Sequence, residues 1–118
     1  MSAVSLSERD FAATVAGDGI VLVDFRAPWC GPSRRFGPVL EAAARRHPDV
    51  RLAAVDIEAE RDLARAVGVR AVPTLLVYRD GVLVFAEPGA LAADSLDLLI
   101  ATIRDLDMRA VREQYPAG

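Results

Sequence analysis

The side chain with the clearest chemical potential is Cys30, the only cysteine among the 118 residues. It lies in the segment Trp29-Cys30-Gly31-Pro32, after an apolar run and before a stretch with helical periodicity. This order predicts a cysteine at a helix N-terminus, where unpaired backbone N–H groups and the positive end of the helix dipole favour a thiolate. Because the thiolate is the nucleophilic form of cysteine, the segment indicates nucleophilic sulfur chemistry.

Two polar residues accompany this cysteine. Ser33 follows it by three residues, at the place where two-cysteine redox motifs carry a second sulfur. Asp24 interrupts the apolar run that leads from Ile20 to Arg26. A carboxyl group in such a run is expected to have a raised pKa, because burial disfavours its charged form.

Composition excludes several classes of function. The chain is 53% apolar and 26% charged with a net charge of −3, which favours a globular fold and argues against binding to nucleic acid or to an acidic membrane. The first residues lack the basic and apolar regions of a signal peptide, and no apolar run approaches the roughly 18 residues of a membrane span. We therefore expect a cytoplasmic, monomeric protein. One histidine and one cysteine predict no metal site, and the absence of a glycine-rich phosphate loop predicts no cofactor.

Apolar periodicity predicts the element order α-β-α-β-α-β-β-α. The first helix starts after Ser7 and ends at Gly17, and the last opens at Asp94 or Ser95 and runs to Leu106. The intervening elements are strand Ile20–Arg26, helix Ser33–His47, strand Arg51–Ile57, helix Ala59–Val67, and strands Thr74–Tyr78 and Val82–Phe85. The predicted class is α/β, a central mixed β-sheet of parallel strands plus an antiparallel edge hairpin, with helices on both faces. Residues 1–118 form one domain, in which 108–118 is a helical extension or tail.

Several motifs, taken together, resemble the thioredoxin family over about residues 7–106. They are Val23-Asp24-Phe25, Ala27-Pro28-Trp29-Cys30-Gly31-Pro32, Pro38, Val72-Pro73-Thr74, Asp80-Gly81 and Gly89-Ala90. The resemblance implies the thioredoxin fold and thiol–disulfide exchange on protein disulfides. It implies that Cys30 attacks a substrate disulfide and forms a mixed disulfide. The family's second cysteine, which resolves that intermediate, is replaced by Ser33, so an external thiol such as glutathione must resolve it.

The resemblance also implies roles for the residues around the cysteine. Asp24 matches the buried carboxylate beneath the site, which is expected here to accept a hydrogen bond from the Ser33 hydroxyl or from a water. Pro73 matches the family's cis-proline. The remaining residues of the implied substrate groove are Trp29, Gly31, Pro32, Val72, Gly89 and Ala90. Arg26 departs from the family, which usually has tryptophan there, and Ala54 takes the place of a lysine near Asp24.

The sequence leaves alternative functions open. The chain could be a natural single-thiol exchange protein, or a two-cysteine thioredoxin in which a cysteine at position 33 was changed to serine to trap mixed disulfides. In the second case its partner is a thioredoxin reductase. A third alternative is a binding module that keeps the groove without a redox cycle, for which Cys30→Ser is the discriminating variant.

Overall fold

The computed structural model describes residues 3–114 and places a five-stranded mixed sheet between two layers of helices. The strands are β1 (Val4–Ser5), β2 (Ile20–Arg26), β3 (Val50–Asp56), β4 (Thr74–Arg79) and β5 (Val82–Pro88). The helices are α1 (Glu8–Val15), α2 (Gly31–Arg46), α3 (Arg61–Ala66), α4 (Ala93–Arg104) and α5 (Met108–Gln114). The strand order is β1-β3-β2-β4-β5, with β1, β3 and β2 parallel and β4 and β5 antiparallel. The predicted α/β class and mixed sheet are confirmed.

The central strand β2 is apolar because both of its faces are covered. Side chains alternate along a strand, so Ile20 and Leu22 point to one face while Val21 and Val23 point to the other. The first face packs against α2 and α4, and the second packs against α1 and α3. The same alternation places Asp24 on the α2 face, together with Arg26 two residues later.

The hairpin between β4 and β5 turns at Asp80 and Gly81, as the Asp-Gly step predicts. Both residues have positive φ, 51° and 82°, which is the conformation of a two-residue turn of type I′. The second strand extends through Pro88, so the expected end at Phe85 is wrong by three residues. This extension brings the following residue, Gly89, alongside Pro73, where its amide donates to the Pro73 carbonyl at 2.8 Å.

Two further differences concern the start of α2 and a short edge strand. The helix α2 starts at Gly31 rather than at Ser33, because glycine and proline are both compatible with a first helical turn, so Cys30 becomes the N-cap residue. The prediction omitted β1, a strand of two residues that pairs with β3 and is too short to show a period. The predicted C-terminal helical extension begins as α5, and the final positions 115–118 lie outside the described residues.

None of the helices within residues 3–114 combines the length and the apolar character needed to cross a membrane.

Candidate active site

Cys30 sits between the N-terminus of α2 and the segment that precedes β4. Its backbone carbonyl accepts the Arg34 amide at 3.0 Å, and its own amide donates to the Ala27 carbonyl at 3.2 Å. Its Sγ atom lies 3.6 Å from the carbonyl oxygen of Val72, and the Val72–Pro73 peptide bond is cis, as predicted. The thiol is partly exposed. A partly exposed sulfur in this position is accessible to a partner molecule.

Ser33 is buried in the first turn of α2, three residues after Cys30. It is 2% exposed, and its hydroxyl oxygen accepts a hydrogen bond from the Ala27 amide at 3.2 Å. Of the two donors expected for Asp24, the Ser33 hydroxyl is not one, and a water stays a prediction. One carboxylate oxygen of Asp24, Oδ1, has no hydrogen-bond partner among the described residues, and the other, Oδ2, is engaged by Arg26. The Ser33 hydroxyl therefore contacts the backbone of the β2–α2 loop and not the Asp24 carboxylate.

Asp24 and Arg26 form an ion pair on the α2 face of the sheet, and its carboxylate is buried. The Arg26 Nε atom donates to Oδ2 of Asp24 at 2.9 Å. Arg26 Nη2 lies 2.8 Å from the same oxygen without the alignment of a hydrogen bond. Asp24 is completely buried, whereas the Arg26 side chain is 31% exposed. Burial raises the pKa of Asp24 above its usual range, and the charge and hydrogen bond of Arg26 counter that shift only in part.

The two departures from the family meet at this carboxylate. Ala54 is the residue paired with Asp24 on the neighbouring strand β3, so the two residues are adjacent. An alanine offers no charge there. Arg26 supplies the cation from β2 itself, because positions two apart on a strand share a face. Arg26 therefore places beside Asp24 the positive charge that its neighbour Ala54 does not provide.

Trp29 projects from the site beside the cysteine, and 61% of its surface is exposed. Its indole N–H donates to a carboxylate oxygen of Glu58. Glu58 was not among the predicted site residues. It follows the carboxyl end of β3, and because β2 and β3 are parallel their carboxyl ends share one edge of the sheet. That shared edge is the sequence signal that could have found it.

The remaining predicted groove residues converge on the same edge. Gly31 and Pro32 form the first turn of α2, and Gly89 is hydrogen-bonded to the segment that carries Pro73. Ala90 follows Gly89 directly. The structure thus brings together Trp29 and Cys30 from the β2–α2 loop, the cis-proline segment before β4, and the turn after β5.

A cleft of about 690 Å³ opens behind the site, beside Arg26 and Ser33. Its charged lining comes from Asp10 of α1, Arg34 and Glu41 of α2, and Asp56 and Glu60 at and after the end of β3. Cys30 does not line the cleft. Within residues 3–114, no three histidine, cysteine or acidic side chains are arranged to hold a metal ion.

Comparison with known proteins supports the resemblance. The thioredoxin family model matches residues 2–102. The chain is 46% identical over 112 residues to the protein named "Putative thioredoxin 2" of Streptomyces coelicolor, covering 95% of this chain and 84% of that protein. It is 35% identical over 101 residues to the thioredoxin of Bacillus subtilis, covering 85% and 96%.

The structural comparison agrees with the sequence comparison. The solved structure of a mutant thioredoxin from Halobacterium salinarum superimposes with a TM-score of 0.82 at 33% identity, covering 89% of this chain and 93% of that one. The five-stranded mixed sheet, the cis Val72–Pro73 bond and the cysteine at the start of α2 are thus found in a chain that matches this family along most of its length. The chain belongs to the thioredoxin family of thiol–disulfide oxidoreductases.

Proposed function

We propose that this protein carries out thiol–disulfide exchange on protein disulfides through the single nucleophile Cys30. The observation that carries the proposal is the position of this thiol, which is partly exposed at the N-cap of α2 and faces the Val72–Pro73 segment. The Cys30 thiolate attacks one sulfur of the substrate disulfide. A new S–S bond joins Cys30 to the substrate, and the other substrate sulfur leaves as a thiolate that takes a proton from water.

Resolution of this mixed disulfide depends on a thiol from outside the chain. Ser33 occupies the resolving position, and its hydroxyl can neither ionise appreciably at neutral pH nor replace sulfur in a stable disulfide. An external thiol such as glutathione attacks Cys30 Sγ and releases the reduced substrate. A second thiol molecule then frees Cys30. The net reaction converts one substrate disulfide and two external thiols into a substrate dithiol and one oxidised external disulfide.

The proposed substrate groove consists of the residues that meet at the carboxyl edge of β2. Trp29 offers an exposed apolar surface on one side of Cys30, and the Val72–Pro73 segment lies on the other. An extended peptide that carries a disulfide would lie between them, with Gly89 and Ala90 at its far end. We place the protein in the cytoplasm as a monomer that acts with no bound cofactor or metal.

The test is capture of a disulfide substrate followed by intact mass spectrometry. Fully reduced protein is mixed with oxidised insulin at pH 7.5, and free thiols are then alkylated. The expected product is a protein–insulin chain adduct that maps to Cys30 and disappears on addition of glutathione. The matched control, Cys30→Ser, forms no adduct. Absence of the adduct in the parent protein at high insulin concentration would overturn the proposal.

A redox-inactive binding role for the same groove is the second candidate. The exposure of Trp29, held in place by Glu58, favours it, because a large exposed aromatic surface is typical of a contact site. Retention of peptide binding by Cys30→Ser at the parent affinity, together with an absent adduct in the parent, would select this candidate.

A further inference from the structure

We propose that Arg26 is a positioning residue of the redox site: its ion pair with Asp24 compensates the buried carboxylate charge, and this compensation sets the ease with which Cys30 forms its thiolate. The inference rests on the proposed function, because it concerns the same thiol. It concerns Arg26, at a position where the family resemblance leads us to expect tryptophan.

The Arg26 guanidinium is in direct contact with the Asp24 carboxylate. Arg26 Nε and Nη2 lie 2.9 and 2.8 Å from Oδ2 of Asp24, and the carboxylate is completely buried. Removing a buried charge from water is costly unless an opposite charge is close. The guanidinium is the only cation at contact distance from this carboxylate among the described residues.

The distance between the ion pair and the Cys30 thiol determines how strongly a charge in the pair affects the thiol. Cys30 Sγ lies 3.6 Å from the Val72 carbonyl, and Asp24 is paired with Leu75 on β4. Arg26 precedes Cys30 by only four positions in the chain, so their Cα atoms are at most about 14 Å apart. At an effective dielectric of about 20, one uncompensated charge at that distance changes a thiol's ionisation midpoint by about one pH unit.

Five other charged side chains line the cleft beside Arg26. Two of them, Asp10 and Arg34, are exposed, and three are partly exposed, so water reaches all five and screens their influence. The partly exposed ones are Glu41, Asp56 and Glu60. Asp56 is occupied locally, since its carboxylate accepts the amides of Glu58 and Ala59. None of these charges competes with Arg26 at contact distance for Asp24.

The consequence is a pair of opposite charge effects at Cys30. Removing only the negative member leaves Arg26 as a free cation, which favours the thiolate. Removing both members restores a neutral site. If Arg26 acted only through packing, removing it from the Asp24→Asn variant would not reverse the change in Cys30 reactivity, because packing does not depend on the sign of a charge.

The experiment measures the rate of Cys30 alkylation by iodoacetamide between pH 5 and pH 10. Asp24→Asn is expected to lower the pH midpoint by about one unit, which is a roughly tenfold gain in rate below the midpoint. Adding Arg26→Gln to Asp24→Asn is expected to return the rate to within about twofold of the parent. Adding Arg26→Lys instead keeps the charge and keeps the lowered midpoint.

The matched control removes a different arginine from the same background. Arg65 is 82% exposed on α3, so the double variant Asp24→Asn with Arg65→Gln should retain the midpoint of Asp24→Asn. The proposal is overturned if Asp24→Asn leaves the midpoint unchanged, or if the double variant with Arg26→Gln retains the lowered value. If the glutamine variant does not fold, Arg26→Met provides an uncharged chain of similar length.

This readout needs no disulfide substrate, so the two proposals fail separately. An absent insulin adduct with the midpoint reversal intact would reject the exchange function and keep the role of Arg26. A normal adduct without the reversal would do the opposite.

Discussion

The Sγ atom of Cys30 lies 3.6 Å from the carbonyl oxygen of Val72, so the reduced thiol donates a weak hydrogen bond to the segment that contains the cis peptide. The thiol thus faces the backbone that would flank a bound substrate. When the proton leaves, this carbonyl no longer has a donor opposite it, and the amides at the N-terminus of α2 become the favourable neighbours of the sulfur. Ionisation therefore shifts the balance of contacts from the β4 side of the site toward the helix.

Replacing Ser33 with cysteine should create a working two-cysteine site. Positions 30 and 33 are about one turn apart at the start of α2, and position 33 is buried. Loss of the hydroxyl that accepts the Ala27 amide should cost about 1 kcal/mol of stability. The expected gain is insulin reduction driven by dithiothreitol or by a thioredoxin reductase, measured as turbidity. A folded Ser33→Cys protein that stays inactive would show that Arg26 or the missing lysine disables the site on its own.

Replacing Trp29 with alanine should slow capture of insulin several-fold while leaving alkylation by iodoacetamide within about twofold of the parent. The physical reason is that a protein substrate uses the exposed indole surface, whereas a small alkylating reagent does not. Leu83→Ala, which removes an exposed apolar side chain from β5, is the matched control and should change neither rate. Equal slowing of both reactions would mean that Trp29 acts on the thiol itself.

Asp24→Asn should be more stable than the parent at pH 7 to 8. Burial raises the pKa of Asp24, and Arg26 counters this only in part, so the native state holds the proton more tightly than the unfolded chain. The penalty is therefore present above the folded-state pKa and disappears as the pH falls toward the unfolded value, about 3.9. Each unit of raised pKa corresponds to about 1.4 kcal/mol.

Urea unfolding of both proteins at several pH values between 4 and 8 measures this difference. The asparagine still offers an oxygen to Arg26, so packing is conserved. A variant that is less stable than the parent at pH 8 contradicts the predicted sign.

Asp97→Asn should be less stable than the parent near neutral pH, the opposite of the effect expected for Asp24→Asn. Hydrogen bonds from Arg46 and His47 lower the pKa of Asp97, so its contribution is present above the unfolded value of about 3.9 and is lost as the pH falls through the folded-state pKa. The parent should exceed the variant in urea midpoint at pH 5 to 7, and the difference should shrink as the pH falls below the unfolded value. Added salt should reduce the difference, because the group is exposed. Asp62→Asn, which removes an 82% exposed carboxylate on α3, is the control and should leave the urea midpoint close to that of the parent at pH 5 to 7.

Ile100→Ala should destabilise the fold by about 2–5 kcal/mol, because it opens a cavity between α4 and the sheet. Ile100 is completely buried, whereas Leu98 on the same helix is 69% exposed. Leu98→Ala should therefore change stability by less than about 0.5 kcal/mol. Urea midpoints decide the comparison, and similar losses in both variants would contradict the assigned face of α4.

Local chemistry accounts for the parts of the fold that could be predicted. The Asp80-Gly81 step specifies a two-residue turn because both residues tolerate positive φ, and the unbroken apolar run of β2 specifies a strand covered on both faces. The strand β1 could not be predicted, since two residues carry no period and its existence depends on an edge offered by β3.

The active site likewise contains features that the sequence predicts and features that only the fold shows. The cysteine at a strand-to-helix junction is visible in the sequence, and the resemblance to a family supplied the cis-proline. The contact between Trp29 and Glu58 joins residues 29 positions apart and needed the sheet topology. Strand alternation places Asp24 and Arg26 on one face, but only the folded backbone shows that the guanidinium turns back onto the carboxylate. Long side chains have too many rotamers for their direction to follow from register alone.

Trp29 is the only tryptophan in the chain, and it is largely exposed next to Cys30. The intrinsic fluorescence of the protein excited near 295 nm therefore comes from this one position. Emission intensity and wavelength become an optical probe of the redox site without any attached dye. Formation of a mixed disulfide, displacement of Glu58 or entry of a peptide can each be followed in a stopped-flow instrument on the unmodified protein.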